Sequence, residues 1–470
     1  MRNRKKHPAT ALTNPRIYGC RAENIQSTGD FTALALALRP FPRVHCTYKQ
    51  ASCQTSVLSQ KTETQEKNMS SLWENFYAQR ARMLTTSSIR ELLKITQVPD
   101  IISFAGGLPA PELLPTEEVA AATAEVLHTR GTQALQYGPT EGYMPLREWV
   151  AAQLSTAHLS LTPDNILITT GSQQALDLLA RVFFDPGDTL LVESPTYMGA
   201  LQAWSTYEPR YIIVPLDAQG LLIEPLEELL QQHRPKLVYV LPTFQNPSGV
   251  SLSLQRRQRL IELIERYNLL LLEDDAYSQL RYEGEDLPSL LHIAARTTGG
   301  LPARVFYIGT FSKVLAPGMR LGWIAAPAEV IHQLVMVKQG TDLHTPTFNQ
   351  IIAHTLLSRD YLQRQVPRLL PVYRQRRDVM LAALQRHFPA QANWTRPEGG
   401  MFIWVTLPAA ADSADLLQKA TKQGVIFVPG RAFHATGGGA STLRLSFSNA
   451  GHERIETGIG RLGQALYVHA

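Results

Sequence analysis

The sequence predicts an α/β protein: a large domain with a mostly parallel, seven-stranded sheet sandwiched by helices, then a smaller α+β domain. Three observations carry that expectation. Short, nearly continuous apolar runs alternate with helical patterns through the middle of the chain, as strands buried on both faces of a parallel sheet do. After about residue 346 the pattern changes to a long helical region followed by short strands. With 470 residues, 44% of them hydrophobic and 18% charged, the chain can bury roughly three quarters of its unfolded surface without disulfide or metal staples.

Charge divides the chain. Residues 1–68 hold 11 Lys/Arg and 4 Asp/Glu, a net of +7, so the remainder carries −2 and the overall +5 belongs to the first segment alone. Cys20, Cys46 and Cys53 also lie there, which leaves the body without thiol chemistry or a disulfide framework. The segment lacks periodicity and reads as a disordered basic extension ahead of Met69; a transit peptide is the alternative, since no acid precedes Glu23. No pair of amphipathic helices with a turn is visible, so no nucleic-acid partner is expected. No run of about 18 apolar residues exists to span a membrane. Nothing in the body suggests secretion, and the expected location is cytoplasmic.

In chain order, residues 69–114 read as an N-terminal helix and arm that joins the small domain. Ser71 to Arg82 has helical character, and Ser88-Ile89-Arg90-Glu91 matches a capping box. The run Phe104-Ala105-Gly106-Gly107 cannot be helix throughout. The large domain, 115–345, opens with an amphipathic helix from Pro115 to His128, whose Glu117 and Glu118 suit the positive helix end. Strands are expected at Asn165–Thr169, Asp188–Val192, Tyr211–Val214, Lys236–Leu241, Leu269–Leu272, Arg304–Ile308 and Leu321–Ala325, with a clear helix at Leu254–Tyr267. The second domain, 346–470, begins with helix to about Phe388, then strands Phe402–Val405 and Thr442–Phe447 and a terminal helix. Gly437-Gly438-Gly439 reads as a flexible loop.

Ligands of open α/β sheets bind beyond the carboxyl ends of the strands, and the chemically unusual residues fall there. One strand runs into Asn246-Pro247-Ser248-Gly249. The next ends in Glu273-Asp274-Asp275-Ala276-Tyr277. A third ends in Thr310-Phe311-Ser312-Lys313, followed seven residues on by Arg320. Asn-Pro-x-Gly, Asp-x-x-Tyr and Ser-x-Lys with a following arginine, in that order, resemble the class I/II aminotransferases of pyridoxal-phosphate fold type I. The resemblance covers about residues 70–470. Phe104 to Pro109, Ser88 to Leu93 and Leu135-Gln136-Tyr137 look most like the 2-aminoadipate and kynurenine aminotransferase branch.

The resemblance implies pyridoxal 5′-phosphate as cofactor, and each residue has a physical reading beside it. Lys313 is the amine that would capture the cofactor and then move the α-proton, because a desolvated lysine loses proton affinity and becomes a nucleophile. Asp274 fits the Asp-x-x-Tyr spacing and would keep the ring nitrogen protonated; strand alternation puts Glu273 and Asp275 on the other face. Tyr277 and Asn246 resemble the residues that hydrogen-bond the ring's phenolic oxygen. Gly171-Ser172-Gln173 opens a helix whose free N–H groups attract a phosphate, joined by Thr310, Ser312 and the planar fork of Arg320. Tyr197 looks like the ring-stacking aromatic. Tyr137 resembles a tyrosine reaching the neighbouring subunit's phosphate, which implies a homodimer with shared sites.

Amino-acid and 2-oxo-acid substrates follow from the same resemblance. Arg444, on an otherwise apolar strand, resembles the clamp for the substrate α-carboxylate, and a buried arginine needs an anionic partner. Asn246 and Gly107 would line the substrate side, and Arg90 matches a reader of a side-chain carboxylate. The 13 histidines show no metal-ligand spacing. The expected activity is transfer of an amino group from 2-aminoadipate, glutamate, an aromatic or a branched amino acid to an acceptor such as 2-oxoglutarate. An effector-sensing module of a transcriptional regulator and a pyridoxal-phosphate β-lyase are the alternatives.

Overall fold

The computed structural model describes residues 73, 75–82, 84 and 100–467. The extension 1–68, the Ser88–Glu91 capping box and Arg90 lie outside the described residues. All those described belong to one compact unit, 72–470.

Two sheets organise it. The large sheet is built from β2 (Ile166–Thr169), β3 (Thr189–Ser194), β4 (Arg210–Asp217), β5 (Gly220–Leu221), β6 (Leu237–Val240), β7 (Leu270–Asp275), β8 (Val305–Thr310) and β9 (Gly322–Ala325), in the order β2-β9-β8-β7-β6-β3-β4-β5. It has eight strands rather than the expected seven. The extra one, β5, is a two-residue antiparallel return on β4, too short to leave a periodic signal. From β4 through β8 the pairs are parallel; near the other edge β9 runs against both its neighbours, β8 and β2.

Alternation along these strands builds two cores. Val238, Val240 and Leu271 join one buried cluster, while Leu237, Tyr239 and Leu272 join the cluster on the opposite face. Both faces are therefore dry, which is why the strands read as continuous apolar runs. Helices Ser172–Phe183, Leu254–Tyr267 and Ala328–Gln339 cover the faces.

The small sheet is antiparallel, ordered β10 (Asn393–Trp394), β11 (Phe402–Thr406), β14 (Thr442–Ser446) and β13 (Val428–Pro429). Beside it β1 (Ile102–Ser103) pairs in parallel with β12 (Val425–Ile426), tying the start of the described body to its end. The helical region after residue 346 is two helices, Thr347–Leu357 and Tyr361–His387. The helix expected at Pro115–His128 runs as Thr116–Ala134, with a non-helical Arg130 inside it. Of the stretch Ser71 to Arg82, Gln79–Arg82 is helical. Gly437, Gly438 and Gly439 all hold positive φ.

One packing constraint sits directly beneath the strand end that carries Lys313. A β-carbon on Gly309 would lie 2.1 Å from the Trp323 ring. Gly309→Val should therefore lower stability by about 1–3 kcal/mol or more, read as a lower urea midpoint. Gly131→Ala, where an added methyl meets nothing within 4 Å, is the matched substitution and should not lower it.

Candidate functional site

A cavity of about 360 Å³ opens at the carboxyl ends of the parallel strands, where Gly106, Gly107, Ser172, Gln173, Tyr197, Asn246, Asp274, Tyr277, Thr310, Ser312, Lys313, Arg320 and Arg444 converge with Leu108, Leu241, Ala276 and Phe402. Fourteen residues were singled out above, and twelve of them line this cavity. Tyr137 does not: it is 78% exposed and touches His344 edge-on. Arg90 lies outside the described residues.

Each wall has a structural cause. The turn after β8 carries Lys313, whose Nζ donates to the Gly107 carbonyl at 2.9 Å. Burial, with Arg444 and Arg320 adding repulsion, pulls its pKa down to about 8. Thr310 Oγ1 donates to Ser312 Oγ at 3.0 Å, so the two hydroxyls form one side of the pocket. The helix Ser172–Phe183 begins at Gly171, which has φ +75° and no side-chain cap. Its first N–H groups are thus left for an external acceptor. The Arg320 fork lies over this turn so closely that a β-carbon on Gly171 would sit 2.5 Å from Nη2. Gln173 is tied back by donating to the Gly199 carbonyl at 2.7 Å.

On the floor, β7 alternation separates three acids. Glu273 faces one core and accepts the Leu290 and Leu291 N–H groups at 2.9 Å each. Asp275 accepts from the Tyr307 hydroxyl at 2.7 Å. Asp274 alone of the three lines the cavity, with Oδ2 accepting from Tyr239 at 2.8 Å. Burial raises its pKa to about 7, the Tyr239 bond working against that rise and the Asp275 charge with it. Tyr277 is pushed upward mainly by burial and has a side-chain hydrogen bond with Asn246. Tyr197 packs its ring over Gly199, where a β-carbon would collide with it.

Opposite the floor, β14 delivers Arg444, 3% exposed. Nη1 donates to Asn246 Oδ1 at 2.7 Å and Nη2 to the Ala105 carbonyl. Nε is buried without a partner. The guanidinium lies 4.2 Å from the centroid of Phe402 and 5.0 Å from that of Phe433. Burial draws its pKa down to about 10. No carboxylate among the described residues pairs with Lys313, Arg320 or Arg444. Three cations thus face one carboxylate around this cavity, and for buried Arg444 an unpaired charge is costly. The cavity is built for anions.

The comparisons agree with that chemistry. The family described as "Aminotransferase class I and II" matches residues 99–462. The chain belongs to the class I and II aminotransferases. It is 46% identical to a 2-aminoadipate transaminase of Thermus thermophilus over 84% of this chain and 97% of that one. To an aromatic-amino-acid aminotransferase of Thermococcus litoralis it is 45% identical, over 84% of this chain and 94% of the other. The crystal structure of the Thermus thermophilus α-aminoadipate aminotransferase, complexed with N-(5′-phosphopyridoxyl)-L-leucine, superposes with a TM-score of 0.79 at 45% identity, covering 84% of this chain and 98% of that chain.

As a pyridoxal-phosphate-dependent aminotransferase this chain needs a cradle for a dianionic phosphate, an aldehyde-reactive amine and an acid at a ring nitrogen. The cavity supplies donors of each kind. Its uncapped helix start, Arg320 and the two hydroxyls suit the phosphate, Lys313 is the neutralisable amine, and Asp274 has one oxygen engaged by Tyr239. Among the described residues no group of three or more His, Cys, Asp or Glu side chains could hold a metal ion. Nor is any of their helices long and apolar enough to cross a membrane.

Two features of the site were not read from the sequence: Phe402 in the cavity lining and Tyr239 behind Asp274. Phe402, the face on which Arg444 stacks, looks like any core strand residue. Tyr239 carries a faint signal, as the one hydroxyl-bearing residue in the aliphatic run Leu237 to Leu241.

With its lowered pKa, Lys313 in the cofactor-free aminotransferase is protonated below about pH 8 and neutral above it. Pulse acetylation read by peptide mass spectrometry should reach half its maximal rate at Lys313 near pH 8, against about 10.4 for an exposed lysine.

Proposed function

We propose that this aminotransferase moves the amino group of 2-aminoadipate, glutamate and aromatic amino acids to a 2-oxo acid such as 2-oxoglutarate, working as a homodimer. The observation that carries the reading is the charge imbalance in the cavity, above all the unpartnered Nε of buried Arg444. The names of the two relatives, one acting on 2-aminoadipate and one on aromatic amino acids, support the donor classes.

In this reading Arg444 grips the donor's α-carboxylate through its planar fork. Asn246, already bonded to the same guanidinium, holds the fork in register. The aromatic faces of Phe402 and Phe433 keep it flat and exclude water. When bound, pyridoxal phosphate supplies an aldehyde and a ring that draws negative charge from the donor's α-carbon. Lys313 is the amine that would hold the cofactor and the base that would take the donor's α-proton; its depressed pKa makes the neutral form accessible near neutrality. Asp274 would keep a proton on the ring nitrogen, while Tyr277 and Asn246 would donate to the phenolic oxygen. Ser172, Gln173, Thr310, Ser312 and Arg320 would hold the phosphate, and Tyr197 would supply an aromatic face for the ring.

The donor's side chain would meet Gly107, Leu108 and Phe402. A β-carbon at Gly107 would lie 2.6 Å from the Phe402 ring, so the glycine leaves this wall open and apolar. That wall suits aromatic donors. Acidic donors call for a further cation, and Arg90 is the sequence's candidate for it. Tyr137 is exposed and does not line its own chain's cavity, which suits a residue serving a second subunit's site.

A donor panel with 2-oxoglutarate as acceptor tests this. Arg444→Gln should raise KM for every donor about 100-fold, the order of loss on truncating one partner of a buried charge pair. Arg90→Ala should lose acidic donors selectively. A protein that turns over neither donor class, with cofactor bound, overturns the proposal.

A further inference from the structure

We infer that Tyr239 is a positioning residue for the reaction: its buried hydroxyl holds Asp274 in the charged, correctly aimed form that the cofactor's ring nitrogen requires. The inference deepens the proposal above and rests on its assignment of Asp274.

The placement follows from strand register. Tyr239 on β6 stands opposite Leu272 on β7, so Asp274, two residues further, is its diagonal neighbour on the same face. The tyrosine is fully buried, and its hydroxyl reaches Asp274 Oδ2 at 2.8 Å. No other hydrogen bond to Asp274 forms among the described side chains and backbone groups, so this donor alone chooses which oxygen remains for the cavity. The ring is held in turn. Trp204 meets it edge-on at 4.9 Å, and Trp204 itself donates from Nε1 to the Leu176 carbonyl at 3.1 Å. Tyr239 therefore cannot swing away without unpacking the core on that face.

The electrostatics give the bond its work. Asp274 faces Asp275 on its own strand, Glu193 from β3, Tyr197 after β3, Tyr277 beyond β7 and Tyr307 from β8. Asp275 disfavours its charge, and burial does so more strongly. The hydroxyl of Tyr239 is the one hydrogen bond opposing them. Burial and the neighbouring carboxylate hold Tyr239's own ionisation far above the ordinary range, so it stays a donor at every working pH. Glu193, next to this pair, is held by the Leu241 N–H and the Gln245 amide and pushed up to about 8. It is thus neutral near pH 7 and adds little repulsion there. Without the Tyr239 hydroxyl the balance at Asp274 tips toward the neutral acid, and the ring nitrogen loses its charged partner.

Tyr239→Phe in the holoenzyme tests this, since it removes one oxygen and keeps the ring. Expected are a fall in kcat of about tenfold with donor KM within about twofold, roughly tenfold weaker cofactor retention on dialysis, and an upward shift in the pH at which the bound chromophore changes colour. Trp204→Phe disturbs the same packing but keeps the hydroxyl. It should lower the unfolding midpoint without moving the chromophore's pH midpoint. Unchanged kcat and chromophore midpoint in Tyr239→Phe, or an equal midpoint shift in Trp204→Phe, overturns the inference. Asp274→Asn separates the two levels. If that variant also leaves the chromophore unchanged, the assignment of Asp274 itself fails; if it moves the chromophore while Tyr239→Phe does not, only the role of Tyr239 fails.

Discussion

Positive charge gathered around one cavity without carboxylate partners is the constraint on which the rest of this structure depends. Arg444 is buried, Lys313 half-buried and Arg320 exposed, and none has a paired carboxylate among the described residues. Such an arrangement costs stability, and it persists because the surrounding frame leaves the side chains nowhere else to go. Arg444 is locked between two aromatic faces and two carbonyl-type acceptors. Arg320 sits at φ +53° against the glycine turn of the first sheet-covering helix. Lys313 is held by the Gly107 carbonyl. The free energy that these groups lack in the protein is recovered when a phosphate and a carboxylate arrive.

The sheet makes that possible through direction and alternation. Six strands, β2, β3, β4, β6, β7 and β8, run the same way and present their carboxyl ends along one edge, so loops from distant parts of the chain meet there. Period-two alternation then sorts the acidic cluster of β7. Glu273 goes to a helix N-terminus, Asp275 to a tyrosine hydroxyl, and Asp274 to the cavity. One residue of slippage in that register would exchange the carboxylate that lines the cavity for a structural one.

The same alternation explains what was legible and what was not. Strands β2, β3 and β6 to β9 stood out because both their faces are buried, leaving unbroken apolar runs; β4 stood out by its apolar residues alone, only Val214 being buried. β5 did not, because two residues carry no period. Asp274 could be told from its neighbours by counting along the strand and by its spacing to Tyr277. Tyr239 could not, since its meaning depends on β6 lying beside β7. Phe402 was invisible for a similar reason: a phenylalanine in a strand means core packing until an arginine from another strand lies across it.

The sequence by itself determined the class of protein, the order of its strands and helices, and which residue types end which strands, because these depend on periodicity and on neighbours close in the chain. Only the tertiary structure decided that Arg444, almost two hundred residues beyond Asn246, bonds to it with no acid in reach. It alone decided that Asp274 accepts from a tyrosine on the next strand, and that Tyr137 is exposed and absent from the lining of its own chain's cavity. These are facts of pairing across long separations, and in a protein interior the surroundings, more than the residue type, set what a charge can do.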